Sequence, residues 1–248
     1  MKLPGRYIFG KNPKIMPANS YQSSYFQKRK NISSISAEIT IQKLSKFLNF
    51  SSVIDFGCGT GTWLATCQNA GVDKILGFDN YAKESELLIE RKYFHKKSLA
   101  EKICLEEKFD LAISLEAAEH VERIFADTIV ENLTNASDVI LFSAATPGQG
   151  GTNHVNEQPP HYWAKKFANH GYTQFDVIRP LIWEEDDVAW WYKQNIFLYI
   201  HLDANQRIKF EELDQGLINQ NIIHPHCLSD KWKNLISKMP PSKISLKL

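Results

Sequence analysis

Short apolar runs, separated by polar and glycine-bearing stretches, recur along the chain. Val53–Phe56, KILGFD (74–79), FDLAISLE (109–116) and DVILFSAA (138–145) each read as a buried strand, and RKYFHKKSL holds a weaker one. FDVIRPLIW and NIFLYIHLD read as two late strands. Between them the period lengthens. Ile39, Ile41, Leu44, Phe47 and Leu48 form a roughly helical stripe, with Ser36 or Ser34 placed to cap it. Trp63–Asn69 reads as a helix closed by Gly71, Ser85–Arg91 and 117–132 as further helices, and PPHYWAKKFANHGY as one ending at Gly171. EEDDVAWWYKQ predicts a short acidic, Trp-rich helix between the last two strands. Strands alternating with helices imply an α/β fold with parallel pairing and helices on both faces; the close spacing of the last two strands allows an antiparallel final strand.

The pattern divides the chain into an irregular arm or lid over residues 1–34, one α/β domain over 35–204, and a helical tail over 205–248 packed on that domain. Length and composition agree with this: 248 residues, 43% of them hydrophobic, suit one domain with additions. The formal charge of +1 gives no global pull towards nucleic acid or an acidic membrane. Cys58, Cys67, Cys104 and Cys227 lack CxxC spacing, which argues against a structural zinc site and a disulfide framework. The opening MKLPGRYIFGKNPK does not read as a secretory signal, and the apolar runs are too short to span a bilayer, so a cytoplasmic protein with no membrane partner is expected.

The chemistry starts at DFGCGTG. Asp55 ends a strand, and Gly57, Gly59 and Gly61 follow before a helix. In such a unit glycines permit positive φ, let a ligand lie on the backbone and let helix and strand approach. Asp79 ends the second strand, where a carboxylate accepts from ribose hydroxyls. A pyrophosphate beside Asp55 would meet like charge, whereas the ammonium of an amino-acid moiety would not. VIDFGCGTG, Asp79 and FDLAISLEAAEHV together resemble the class I S-adenosylmethionine-dependent methyltransferases over about residues 35–200. The resemblance implies a Rossmann-like seven-stranded sheet, six strands parallel and the last antiparallel. It implies that Asp55, Gly57 and Gly59 line the methionine part, that Asp79 holds the ribose, and that Asn80 and Tyr81 flank the adenine. Where the family often has an aspartate against the adenine amino group, this chain has Ser98 and Leu99.

SLEAAEH (114–120) closes the fourth strand. If a helix begins near Glu116, then Glu116, Glu119 and His120 fall at i, i+3 and i+4 on one face. Two crowded carboxylates repel unless a positive charge lies between them. His154, on the loop after the adjacent fifth strand, is placed to join them. Three readings stand side by side: a divalent-cation site of Glu116, Glu119, His120 and His154 taking Mg²⁺ or Mn²⁺; His120 or His154 as a general base without metal; and glutamates settled by a helix dipole with a packed histidine. The ExxEH pattern with a later histidine resembles metal-dependent O-methyltransferases, among them small-RNA 2′-O-methyltransferases, and ExxEH alone resembles the ubiquinone-pathway enzymes.

The expected activity is methyl transfer from S-adenosylmethionine to a hydroxyl of a small-molecule or glycan acceptor. The GG…HVNEQ loop resembles bacterial methyltransferases of glycan and natural-product chemistry. RNA 3′-terminal ribose methylation is the alternative, with QKRK (27–30) the only basic tract and no RNA module in view. A dinucleotide dehydrogenase and a non-catalytic cofactor-binding protein are further rivals. Secondary candidates are Asn156, Glu157 (as a cap of the next helix) and His161; an aromatic wall or core of Trp183, Trp190, Trp191 and Tyr192; a lid carrying Tyr21, Tyr25 and Phe26; and HPHC (224–227), read as a surface turn.

Overall fold

The computed structural model describes residues 32–205, 207–213 and 222–237. The arm expected over 1–34, with Tyr21, Tyr25, Phe26 and QKRK, therefore lies almost wholly outside the described residues. Helix α1 (32–44) precedes β1 (Ser52–Phe56), α2 (Thr62–Asn69), β2 (Lys74–Asp79), β3 (Phe94–Lys96) and β4 (Leu111–Leu115). Then come α3 (Ala126–Ala136), β5 (Val139–Ser143), α4 (Pro160–Ala168), β6 (Tyr172–Phe175), α5 (Arg179–Ile182), α6 (Trp190–Asn195), β7 (Phe197–His201), α7 (Arg207–Leu213) and α8 (Pro225–Ser237).

The seven strands form one sheet in the order β3-β2-β1-β4-β5-β7-β6. β1 to β5 pair in parallel, and β7 pairs antiparallel with both β5 and β6. This is the expected Rossmann-like sheet with an antiparallel last strand. The order reverses between β1 and β4, so the carboxyl ends of these strands flank a crevice, the usual ligand position in open α/β sheets.

Period-two alternation splits the strands between two cores. Val53, Leu111, Ile113, Leu141 and Leu198 face α1, α2 and α6 through Leu44, Leu64 and Tyr192. Ile54, Ala112, Ile140, Phe142 and Tyr199 face α3 and α4 through Ile129, Leu133, Trp163 and Phe167. β4 and β5 are buried along their whole length, which explains their unbroken apolar runs.

Several elements differ from expectation. Ser36 lies inside α1 rather than at its cap: its hydroxyl donates to the Ile32 carbonyl and accepts from the Ala189 amide (2.6 and 3.0 Å), tying α1 to the segment before α6. The helix expected over Ser85–Arg91 is two 3₁₀ turns, Glu84–Glu86 and Arg91–Tyr93. FDVIRPLIW is not a strand. Pairing stops at Phe175, and Pro180, which has no N–H for a ladder, sits in the first turn of α5. The acidic helix keeps only Trp190–Asn195. HPHC is not a surface turn: His224 is buried, its ring Nδ1 accepts from the His226 amide, and Pro225 opens α8. None of the described helices is long and apolar enough to cross a membrane.

Candidate active site

The β1–β2 half of the crevice is built by backbone. The amides of Gly57 and Cys58 both donate to the Phe78 carbonyl (2.7 and 3.1 Å), fastening the glycine turn to the end of β2. Gly57 has φ +87°, and a Cβ there would run into that of Ala117, so it serves close packing with the segment after β4. Gly59 has φ +54°, with nothing within 4 Å of a would-be Cβ. It is the point at which a ligand can lie against the main chain. The Asp79 carboxylate accepts from the amides of Gly59 (2.9 Å), Tyr81 (2.7 Å) and Ala82 (2.8 Å), so it organises both turns at the crevice rim. Asp55 is buried beside it. Burial, and then the charge of Asp79, push its carboxyl well above the usual carboxylate range. Two close carboxylates at a glycine turn suit a cationic amino-acid group and disfavour a pyrophosphate.

The remaining cofactor candidates divide. Asn80 and Tyr81 stand exposed at the rim, Tyr81 at 82%. Ser98 turns inward on its own loop, its hydroxyl accepting from the Ala100 amide (3.2 Å). Leu99 is core, beneath Gly57.

The β4 half is built by side chains. No α-helix starts at Glu116. That residue is left-handed (φ 52°), and two 3₁₀ turns, Ala118–His120 and Arg123–Phe125, follow before α3. The kink removes the helical i, i+3 stacking of Glu116 on Glu119. Its carboxylate accepts from Gln149 Nε2 (2.7 Å) and Asn195 Nδ2 (3.0 Å), and Asn195 also donates to Gln149 Oε1 (2.8 Å). Burial raises the Glu116 carboxyl, and these bonds offset part of that. Glu116 thus buttons the loop after β5 to α6 instead of joining the other three residues.

Glu119, His120 and His154 do come together, with one potential ligand atom from each within 4.8 Å of the others. Glu119 is 0% exposed, and neither carboxylate oxygen has a hydrogen-bond partner among the described residues. Burial, then the charge of Glu116, push its carboxyl well up; the amides of Glu119 itself and Ala145 oppose this without reaching hydrogen-bond geometry. The Glu119 carbonyl accepts from the amides of Val155 and Asn156 (2.9 and 3.0 Å), which lays the loop across the end of β4. His154 Nε2 then lies 4.0 Å from Glu119 Oε1, and the two imidazoles meet edge-on at 5.0 Å. His120 Nδ1 is 3.3 Å from the Asn153 carbonyl.

Glu157 does not cap α4, whose start carries no side-chain cap bond. It holds His154 Nδ1 at 2.9 Å and accepts from the amides of Gly148 (2.7 Å) and Gly150 (2.6 Å). Burial works to raise its carboxyl, but these bonds outweigh it and hold it low. A low carboxylate at Nδ1 keeps a proton on that nitrogen and leaves the Nε2 lone pair facing Glu119. Gly151 packs so close under the ring that a Cβ would collide with it. Gln149, Gly151 and Asn195 were not legible as site residues. Only the i,i+3 spacing of His154 and Glu157 carried a local signal.

The late aromatics pack rather than line a wall. Tyr192 is buried edge-on to Trp63, Trp190 Nε1 donates to Asp230 (2.9 Å), and Trp183 lies 4.6 Å from the His224 ring.

Comparison with known proteins agrees with this geometry. Residues 27–129 match a family model described as a methyltransferase domain. No curated protein is significantly similar to the chain. Among solved structures, the sugar N-methyltransferase KedS8 from a Streptoalloteichus species aligns at a TM-score of 0.54 and 14% identity, over 81% of this chain and 98% of that one. The amino pentose methyltransferase CalS10 of Micromonospora echinaspora, with S-adenosylmethionine bound, aligns at 0.52 and 12%, over 78% and 100%. The magnesium protoporphyrin IX methyltransferase of Synechocystis, also with the cofactor bound, aligns at 0.50 and 16%, over 75% and 86%. The family-model match spans the glycine turn and β4, and these solved structures share the fold.

Proposed function

We propose that the chain transfers the methyl group of S-adenosylmethionine to a hydroxyl of a small polyol or glycan-type acceptor, with Glu119, His120 and His154 handling the acceptor oxygen and its proton. The observation that carries this is the fully buried Glu119 carboxylate, unpartnered on both oxygens and faced by two histidines. A carboxylate left so is costly unless a proton, a cation or a substrate hydroxyl meets it.

The three residues fit a divalent cation. With Glu116 committed to Gln149 and Asn195, the donor set is two imidazole nitrogens and one carboxylate oxygen, a mixture that suits Mn²⁺ better than Mg²⁺. Bound there, such an ion would lower the pKa of an acceptor hydroxyl.

The chain's own part is alignment and proton handling. The glycine turn and Asp79 hold the nucleoside with its sulfonium towards β4. The acceptor oxygen attacks the methyl carbon, the carbon–sulfur bond breaks, and S-adenosylhomocysteine leaves as a neutral thioether. The second reading has no metal. It is favoured by the Glu157–His154 bond, which leaves His154 Nε2 as the proton acceptor.

The test is methyl transfer from labelled S-adenosylmethionine to polyols, amino sugars, catechols and RNA 3′ ends, with and without chelator. Labelled polyol, lost on chelation and restored by Mn²⁺, is the expected result. Activity untouched by chelator replaces the cation with the histidine base. Labelling confined to amines or to RNA overturns the acceptor assignment.

A further inference from the structure

Beside the β4 cluster lies a cavity of about 560 Å³ between the turn that follows His120 and helix α4, lined by Arg123, Gln158, His161, Tyr162, Lys165 and Lys166 with Pro159 and Asn169. The lining holds three permanent cations and a histidine, and no carboxylate. Lys166 is paired from outside the cavity by Asp127 (2.6 Å). Arg123 and Lys165 make no ion pair with another described residue. A cavity along β2 and β3 differs: Glu106 and Glu107 share its lining with the basic residues, and Lys74 there is already paired with Glu107 at 2.5 Å. Positive charge beside the β4 cluster is therefore local, on a chain whose net charge is only +1.

The cations are also held in place. The Arg123 guanidinium lies 5.5 Å and the Lys166 ammonium 5.1 Å from the centroid of the same Tyr162 ring. Cation–π contact of this kind fixes long side chains that would otherwise lose rotamer freedom on binding. Gln158 ties the wall to the loop that leaves β5, its amide donating to the Ala145 carbonyl (3.2 Å) and its side chain to Asn156 Oδ1 (3.0 Å). Arg123 is three residues from His120 and Gln158 four from His154, so these two members of the wall lie at most about 11–14 Å from the histidines, Cα to Cα. That is an upper limit, within which a sugar ring carrying one charged substituent fits.

We infer that this cavity binds a phosphate ester on the acceptor, so that the substrate is a phosphorylated polyol whose free hydroxyl faces Glu119 and His154. An arginine fork matches phosphate oxygens bidentately, and a neighbouring lysine supplies a point charge. The assignment rests on the methyltransferase reading for its orientation, and on the cavity for its chemistry.

The test is a titration of the full chain with glucose 1-phosphate, inorganic phosphate and glucose, followed by calorimetry and by the amide resonances of residues 158–169. S-adenosylmethionine is titrated in parallel. Glucose 1-phosphate and phosphate are expected to shift those amides, and glucose to leave them unmoved. The double variant Arg123→Ala, Lys165→Ala is expected to weaken glucose 1-phosphate roughly tenfold or more, about 1.4 kcal/mol or above. Both positions are exposed and outside ion pairs among the described residues, so the fold is expected to survive, with S-adenosylmethionine affinity unchanged as the control. Absence of shifts with either phosphate compound, or equal affinity in the double variant, overturns the proposal. Glucose 1-phosphate binding without S-adenosylmethionine binding would leave the anion site standing and remove the methyltransferase reading. The reverse would do the opposite.

Discussion

The two halves of the crevice are built in opposite ways. At the ends of β1 and β2 the rim carboxylate is satisfied by main chain: Asp79 takes the amides of Gly59, Tyr81 and Ala82, and the Phe78 carbonyl takes those of Gly57 and Cys58. At the ends of β4 and β5 the arrangement depends on side chains brought from far along the sequence, and one carboxylate is left without a partner. Backbone-built sites fix a constant ligand and tolerate change in the side chains around them. Side-chain-built sites can be retuned residue by residue. The difference is what the proposed function requires: one methyl donor held by main chain, and an acceptor side that side chains can retune.

The comparison is open to attack at four points. The heaviest is Glu119. Replacing it with alanine is expected to cut turnover about a hundred- to ten-thousand-fold while S-adenosylmethionine affinity, read by calorimetry, stays put; loss of both together would show that the halves are not separable. Next, Gly151→Ala forces a methyl group against the His154 ring. Displacing that ring by about an ångström is expected to cost turnover roughly a hundredfold with little change in cofactor affinity. On the other half, Asp79→Ala removes the acceptor for three amides as well as the ribose contact expected of it, and is expected to weaken S-adenosylmethionine at least about tenfold. Unchanged affinity would take the ribose assignment away.

The smallest effect is on stability. Glu119 has its carboxyl raised well above 4.5 in the folded state. The native chain therefore holds that proton more tightly than the unfolded one. The stabilisation is complete below about pH 4.5 and lost as pH rises through the folded value. Without added cation, the melting temperature of Glu119→Gln relative to wild type is expected to rise with pH across that window, by a few degrees in thermal scans. Asp55 is raised in the same sense but is common to both proteins, so it cancels in the difference. A difference that is flat with pH would mean that Glu119 is not a buried, proton-holding acid.

What could be read in the sequence follows the same division. The strand, glycine turn and Asp79 are a local unit, and local patterns are legible. Sheet adjacency is legible too: β4 pairs with β5, which is why the sequence alone puts His154 near Glu119. The helix expected through Glu116 is absent because i, i+3, i+4 spacing counts only where a helix runs, and a left-handed residue ends the regularity at once. Asn195 lies 79 positions from the carboxylate it serves, a separation over which a single sequence carries no signal. The strand expected in FDVIRPLIW failed for a legible reason, the proline within it, which the apolar run outweighed in the reading.

The peptide carbonyl of Glu119 has a consequence of its own. The residue that offers the lone acid is stitched twice, through its main chain, to the segment bearing His154. The covering strap cannot swing aside as a door does without unpicking the very turn that presents the acid. Cutting or lengthening the strap next to Val155 is then equivalent to deleting Glu119, even though neither change touches its side chain.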